Sequence, residues 1–340
     1  MKTVRWGMIG CGEVARTKSG PGLIRASNSR LVAVADRHAD RAEAFAREHG
    51  VARAHGDVEA LLRADDIDVV YVATMTESHR ELVLRCAAAG KSVLVEKPMA
   101  MNPAECAEMD AACRSAGVRL WVAYYRRALP RFGKVRDLVA DGAIGDVRMV
   151  VTRHFQRIPS PEEMRGPFWG WRLDPKRSGG GIFFEAVGHT LDILDFILGP
   201  VDEVRAFAAN QAGAYPPEDV VAASFRYASG AHGSGAWCFS ADVDDEGNEI
   251  VGSKGRITFS TFPPLAPPAG RPPVPIRLIR GDSVESFPIG DPPYVHQPLI
   301  QSIVDELNGQ GTCPSTPASA MRTARVIDAC LAEFNAGRRR

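Results

Sequence analysis

The chain has 340 residues, long for one ordinary core and short for three, so two domains are expected. Apolar residues make up 45% and charged residues 24%, a globular mixture that excludes an extended disordered chain. Lysine plus arginine and aspartate plus glutamate both number 41, and this zero net charge excludes a surface built to capture nucleic acid or anionic membrane by electrostatics.

From residue 4 to residue 122 short apolar runs alternate with helical patterns. Strands are expected at 4–9, 31–35, 69–73, 93–95 and 120–122, and helices at 39–48, 78–89 and 103–116. Buried strands interleaved with helices specify a doubly wound parallel sheet. After Tyr124 the order changes. A helix is expected at 131–141 and a strand at 147–155, followed by a loop rich in Pro, Trp and Gly to Gly181 and a helix at 182–198. Strands then follow one another at 204–209, 220–227, 231–239, 248–251 and 257–259, with further segments starting at Ile276 and Val284. Successive strands without helices between them imply an open, largely antiparallel sheet with one face free to pack on something else. Seven prolines in the thirteen positions 263–275 read as a surface excursion, and 318–334 as an amphipathic closing helix. The fold class is α/β plus α+β, with domains expected at 1–122 and 123–340.

Seven cysteines, at 11, 86, 106, 113, 238, 313 and 330, form no CxxC pair and have no nearby histidine at metal-ligand spacing, so neither a disulfide framework nor a metal site is expected. Met1-Lys2-Thr3-Val4-Arg5-Trp6 runs directly into an apolar strand without a signal sequence, and no apolar stretch approaches membrane-spanning length. A cytoplasmic protein is expected. The closing Arg338-Arg339-Arg340 is read as a solvated terminus.

Gly10-Cys11-Gly12-Glu13-Val14-Ala15 follows the first strand and opens a helix. In that context Gly10 makes the turn, Gly12 lets backbone approach a pyrophosphate, and Ala15 permits close helix packing. The helix N-terminus, through Glu13 and Val14, offers N–H donors to phosphate. Asp36 lies 21 positions after Ala15 at the end of the second strand, where a carboxylate accepts from ribose hydroxyls and repels a 2′-phosphate. NAD is the expected cofactor. NADP is the alternative, because an Arg37 guanidinium can pair with that phosphate or stack on adenine.

With Glu96-Lys97-Pro98 after the fifth strand, the chain resembles the Gfo/Idh/MocA (glucose-fructose oxidoreductase / inositol dehydrogenase) family over essentially its whole length. Thr74 with His79, Gly90-Lys91, Arg127 before Pro130, and Gly179-Gly180-Gly181 before Glu185 and His189 carry the same resemblance. It implies a Rossmann domain at 1–122 and a substrate-binding and oligomerisation domain at 123–340, assembled as a homodimer or homotetramer through the second sheet. Gly170-Trp171-Arg172-Leu173-Asp174-Pro175 is similar to 1,5-anhydrofructose reductases within the family, which implies that Trp171 and Arg172 line the substrate pocket. There are departures. Those reductases lack an acid where Asp36 stands and prefer NADP, the family's usual Asp four residues before the histidine is Glu185 here, and Met75 stands where many members carry proline.

Oxidising a secondary alcohol needs a hydride acceptor, a base, and positive charge near the oxygen. The resemblance implies that Lys97 and His189 converge on that oxygen above the nicotinamide, Lys97 stabilising negative charge and His189 moving the proton. Glu185 and His189 are spaced to share a helix face, so Glu185 is expected to orient the imidazole or to act itself as acid or base. Thr74, His79 and Glu96 are assigned to the cofactor side, His79 as a positioning residue. Tyr125 matches a position that approaches the nicotinamide, and Arg127 is read as a structural anchor. His154, Tyr294 and the helix-interrupting string Lys18-Ser19-Gly20-Pro21 gain no role beyond a loop near the pyrophosphate for the last. The function expected is an NAD(P)-dependent oxidoreductase acting on a sugar, cyclic polyol or dihydrodiol. Two alternatives are a lyase or glycosidase that oxidises its substrate transiently, and a ligand-sensing regulator without catalysis.

Overall fold

Strands β1 (Val4–Ile9), β2 (Ser29–Ala35), β3 (Arg53–His55), β4 (Val69–Val72), β5 (Ser92–Val95) and β6 (Leu120–Val122) form a parallel sheet in the order β3-β2-β1-β4-β5-β6. The computed structural model describes residues 1–263 and 273–338, so most of the proline-rich excursion and the last two arginines lie outside the described residues. Strand order reverses between β1 and β4, which are bonded in register from Trp6↔Val69 to Ile9↔Val72. Their carboxyl ends therefore border the crevice where an open α/β sheet binds ligands. Every residue of β4 is fully buried, as the continuous apolar run requires of a strand covered on both faces. Short β3 has neither an apolar run nor alternation, and its pattern in the sequence is invisible for that reason.

The second sheet contains β7 (Val147–Arg157), β8 (Val201–Ala209), β9 (Val220–Tyr227), β10 (His232–Ala241), β11 (Asp245–Gly252), β12 (Arg256–Phe259), β13 (Ile276–Arg280) and β14 (Ser283–Phe287). Its order is β14-β13-β12-β11-β7-β10-β9-β8, with β7 and β10 parallel and the other neighbours antiparallel. Helices α1 (Pro130–Ala140) and α2 (Gly188–Leu198) lie on one face. Phe132 meets Phe259 at 6.3 Å between ring centroids, and Phe183, just ahead of α2, meets Trp237 edge-on at 5.1 Å. The other face presents exposed Phe207, Ala222 and Ala236 directly opposite one another across β8, β9 and β10.

The chain divides into two compact units, Met1–Leu129 with Pro292–Met321, and Pro130–Asp291 with Arg322–Arg340. A single cut at 122/123 therefore does not describe it, because the segment after the second sheet returns to the first unit. Helix α3 (Gln297–Leu307) buries Leu299, Ile300, Ile303 and Val304, and Gln301 Oε1 accepts from the Ser27 N–H at 2.7 Å. Arg119 pairs with Glu306 at 2.9 Å, and the Ser315 hydroxyl donates to the Val122 carbonyl at 2.6 Å. These contacts join residues far apart in sequence, so no local pattern announces them. The fully buried Ile303 tests whether this return is integral. Ile303→Ala should cost about 3 kcal/mol in urea unfolding, through lost apolar burial plus a cavity; a cost below about 1 kcal/mol would show the helix to be peripheral.

Candidate functional site

In the first unit the Gly-rich turn sits at the carboxyl end of β1. Gly10 has φ +98°, and a Cβ there would stand 2.6 Å from the Ala73 carbonyl oxygen, so both conformation and space demand glycine. A Cβ on Gly12 would meet nothing within 4 Å, leaving the open approach that a dinucleotide pyrophosphate requires. The Arg16 N–H donates to the Gly12 carbonyl at 2.9 Å, so a helix begins here and the Glu13 and Val14 amides belong to its first turn. Asp36 is buried. Its Oδ2 accepts from the Cys11 N–H and its Oδ1 from the His38 N–H, each at 2.9 Å, so it ties the end of β2 to the turn while Arg37 is exposed. Burial, with Asp36 adding to it, pushes the Cys11 thiol up to about 12. These residues fit a dinucleotide.

The string Lys18-Ser19-Gly20-Pro21 is helical, not a loop. Ala15–Ser19 form a π-turn that the Gly20 N–H closes on the Ala15 carbonyl, and an α-helical segment follows at Gly20–Arg25. Pro21 has no N–H to give to the preceding turn, and the wider π-turn carries the helix past it. Met75 has φ −78°, close to the value that proline imposes, so the backbone here has a φ that proline also adopts.

Thr74, His79 and Glu96-Lys97-Pro98 lie together at the carboxyl ends of β4 and β5. The Ser78 hydroxyl donates to Thr74 Oγ1 at 2.8 Å. His79 Nε2 stands 3.1 Å from the Thr74 carbonyl and Nδ1 3.0 Å from the Pro98 carbonyl, so the ring spans the segments that follow β4 and β5. Burial holds His79 below the ordinary imidazole value, and a neutral ring donates to one of the two carbonyls. Glu96 is buried, not facing outward as a ligand. Its Oε1 accepts from the Tyr71 hydroxyl and its Oε2 from the Lys97 N–H at 3.1 Å. Burial raises Glu96 above the usual carboxylate range, against the opposing effects of the Tyr71 hydrogen bond and the charges of Lys97 and Lys18. Tyr125 stacks on His296, with ring centroids 4.3 Å apart. Arg127 is buried and donates to the Pro314 carbonyl at 3.4 Å, an anchor for the returning segment. Tyr294 lies under the Arg25 guanidinium at 5.0 Å.

In the second unit the structure brings Arg172 and Glu185 together, with Nε to Oε1 at 3.4 Å. The Arg172 guanidinium also lies 4.1 Å from the Phe168 ring centroid and 4.5 Å from that of Trp171, and it donates to the Phe168 carbonyl at 2.5 Å. Phe168, four positions before Arg172, escaped the sequence reading although that spacing was there to see. Residues Phe183–Val187 form a π-turn ahead of α2, so the path from Glu185 to His189 is not α-helical throughout. The triple glycine is a packing device. A Cβ on Gly180 would stand 2.5 Å from Phe184 Cβ, and one on Gly181 2.5 Å from Pro217 Cβ.

His189 is buried, with Phe262 edge-on at 6.0 Å; Phe262 also meets His154 at 5.1 Å. Glu246 holds the segment carrying Phe262, accepting from the Ser260 hydroxyl at 2.5 Å and from the Thr261 N–H at 2.9 Å. Among the described residues no group of three or more His, Cys, Asp or Glu is placed to hold a metal, and no helix is long and apolar enough to cross a membrane.

Glu96 makes a pH-dependent prediction. Its folded value is raised, so its contribution to stability is present while it is protonated and is lost as pH rises through that value. Tyr71→Phe removes the donor that opposes the shift. The loss of Tm relative to the parent protein should therefore be smallest at acid pH, where Glu96 is protonated, and grow as pH rises. A loss that does not change with pH would contradict this assignment.

A family model described as the oxidoreductase family with an NAD-binding Rossmann fold matches residues 4–124, and the Gfo/Idh/MocA C-terminal domain model matches residues 132–258. The chain is 32% identical to a 1,5-anhydro-D-fructose reductase of Ensifer adhaerens over 92% of this chain and 90% of that protein. It is 31% identical to a trans-1,2-dihydrobenzene-1,2-diol dehydrogenase of Mus musculus over 74% of this chain and 73% of that protein. Among solved structures it is similar to the aldose-aldose oxidoreductase of Caulobacter crescentus complexed with glycerol, with TM-score 0.84, 25% identity and coverage of 99% and 98% of the two chains. With a switch-point glycine turn, a carboxylate ending the second strand and a matching model in each part, the chain belongs to the Gfo/Idh/MocA family of NAD(P)-binding oxidoreductases.

Proposed function

We propose that this chain transfers a hydride between a nicotinamide dinucleotide, NAD by preference, and a secondary alcohol or ketone of a sugar, cyclic polyol or dihydrodiol. The observation that carries this reading is the launch of Lys97 from a fully anchored Glu96, in the same unit as the open Gly12 turn and Asp36. The names of the two relatives, one a reductase of a sugar-derived ketone and the other a dehydrogenase of a cyclic diol, support the substrate class.

When bound, the dinucleotide supplies or accepts the hydride. Gly10, Gly12, Glu13 and Val14 supply the turn and the first-turn amides for its phosphates, and Asp36 supplies the carboxylate that favours ribose hydroxyls over a 2′-phosphate. Arg37, Thr74, His79, Glu96 and Tyr125 complete the cofactor side, with His79 and Glu96 acting by holding backbone. Lys97 donates a hydrogen bond to the reacting oxygen and stabilises its alkoxide character. His189 takes up or returns the hydroxyl proton. Arg172 and Trp171 offer sugar hydroxyls a fork of donors and a ring face, and Glu185 acts by holding the Arg172 guanidinium in place.

Two further readings belong here. All seven cysteines are free thiols and all but Cys238 are buried, which supports the reducing cytoplasm as the working compartment. The face of the second sheet that carries Phe207, 80% exposed, beside Ala222 and Ala236 offers a flat apolar surface to a second copy of the chain, supporting a homodimer or homotetramer. Light scattering on the purified protein should give a mass at least twice that of one chain, and Phe207→Arg should lower it; a monomer at all concentrations would remove the oligomer from this account.

Titration with NADH and NADPH, read by energy transfer from tryptophan, tests the cofactor assignment. NADH should bind at least about tenfold tighter, about 1.4 kcal/mol, and Asp36→Ser should erase most of the difference. Tighter binding of NADPH by the parent protein would show that Arg37 outweighs Asp36.

A further inference from the structure

Among the buried polar side chains of the first unit that the proposed roles leave unused are Tyr71 and His296. Both face Glu96. Tyr71 comes from the centre of β4, where it is the one polar group in an apolar run, and gives its hydroxyl to Glu96 Oε1. His296 comes from the returning segment just before α3 and places Nδ1 3.7 Å from the same Oε1. Its ring stacks on Tyr125 with planes 28° apart, and the Arg126 guanidinium lies 4.9 Å from the Tyr125 ring centroid. Neither Tyr71 nor His296 is visible from the motifs, because the two are 225 positions apart in the sequence.

We propose that Tyr71, Glu96 and His296 form one buried positioning assembly, in which Glu96 fixes the backbone from which Lys97 leaves and His296 wedges the Tyr125 ring against that same carboxylate. The inference rests on the roles given to Lys97 and Tyr125 in the proposed function. Both Glu96 oxygens are engaged, one by Tyr71 and one by the Lys97 amide, so the peptide between residues 96 and 97 cannot shift without breaking a hydrogen bond in a dry interior. His296 is a wedge and not a proton carrier. Burial, with the charges of Lys18, Arg126 and Lys97, holds it down to about 3, so the ring stays neutral across the working range. Tyr71 is held well above the ordinary tyrosine value by burial and then by Glu96, and so remains a donor. An uncharged ring, a phenol and one carboxylate together give Lys97 and Tyr125 fixed seats without adding a second titrating group.

Three variants of the full chain test this. His296→Phe keeps the stacking ring and removes the nitrogen beside Glu96, His296→Ala removes both, and Tyr71→Phe removes one hydroxyl. In NADH titrations without substrate, His296→Ala should bind about tenfold more weakly while His296→Phe recovers most of the loss. With the ketosugar that the parent protein reduces, Tyr71→Phe should lower kcat about tenfold and leave KM within about threefold, as expected for a group that acts on the transition state through Lys97. The unfolding free energies of Tyr71→Phe, His296→Phe and the double variant in urea, a measurement that needs no cofactor, should be non-additive. Additive energies, a His296→Phe variant that binds NADH as poorly as His296→Ala, or a Tyr71→Phe variant with the parent kcat would each overturn the assembly. Failure of the parent protein itself to bind NADH would instead overturn the proposed function, and the urea cycle would still decide the assembly.

Discussion

A buried carboxylate has to be satisfied by its neighbours, and Glu96 meets that constraint through Tyr71 on one oxygen and the Lys97 amide on the other. Much of the first unit follows from it. The strand order places β4 beside both β1 and β5, so the phenol that Glu96 needs comes from the strand next to the glycine turn. His79 then sits between the Thr74 and Pro98 carbonyls and donates to one of them, so the segments after β4 and β5 meet both a carboxylate and an imidazole. The returning segment closes the arrangement with His296, and the hydrogen bonds around Ser315 and Arg127 keep it attached to the end of β6.

The second unit solves a different problem with the same means. A sheet of eight strands supports the side chains to which the proposed function assigns the substrate. Arg172 is held on three sides, by the rings of Phe168 and Trp171 and by Glu185, which restricts its rotamer freedom. The ring edge of Phe262 sets the surroundings of His189, and Phe262 is in turn steadied by a Glu246 carboxylate that ties down two successive residues before it. Rigid elements placed behind a site give the precision that catalysis requires.

What the sequence made legible was what repeats locally. The alternation of apolar runs and helices gave the parallel sheet, and five of its six strands were placed to within two residues at each end. Gly10, Asp36, Lys97 and their neighbours stood in recognisable spacing because backbone geometry enforces that spacing. The illegible features depend on distance in space. The return of residues 292–321 to the first unit, the Tyr71–Glu96–His296 cluster and the pairing of Glu185 with Arg172 all join residues that no period connects. Two π-turns, at Ala15–Ser19 and Phe183–Val187, were also hidden, since an inserted residue in a helix leaves the apolar pattern almost intact. The second of them breaks the simple four-residue relation between Glu185 and His189.

Hydride transfer that depends on Lys97 is the central claim. The most direct measurement is incubation of the protein with a ketosugar panel and nicotinamide cofactor deuterated at the transferring position, with the products read by mass spectrometry. The account predicts a product about one mass unit heavier per carbonyl reduced than the product made with the light cofactor, that is, one carbon-bound deuterium, formed at least about a hundredfold more slowly by Lys97→Ala. Products without carbon-bound deuterium, or a Lys97→Ala variant as fast as the parent, would contradict it.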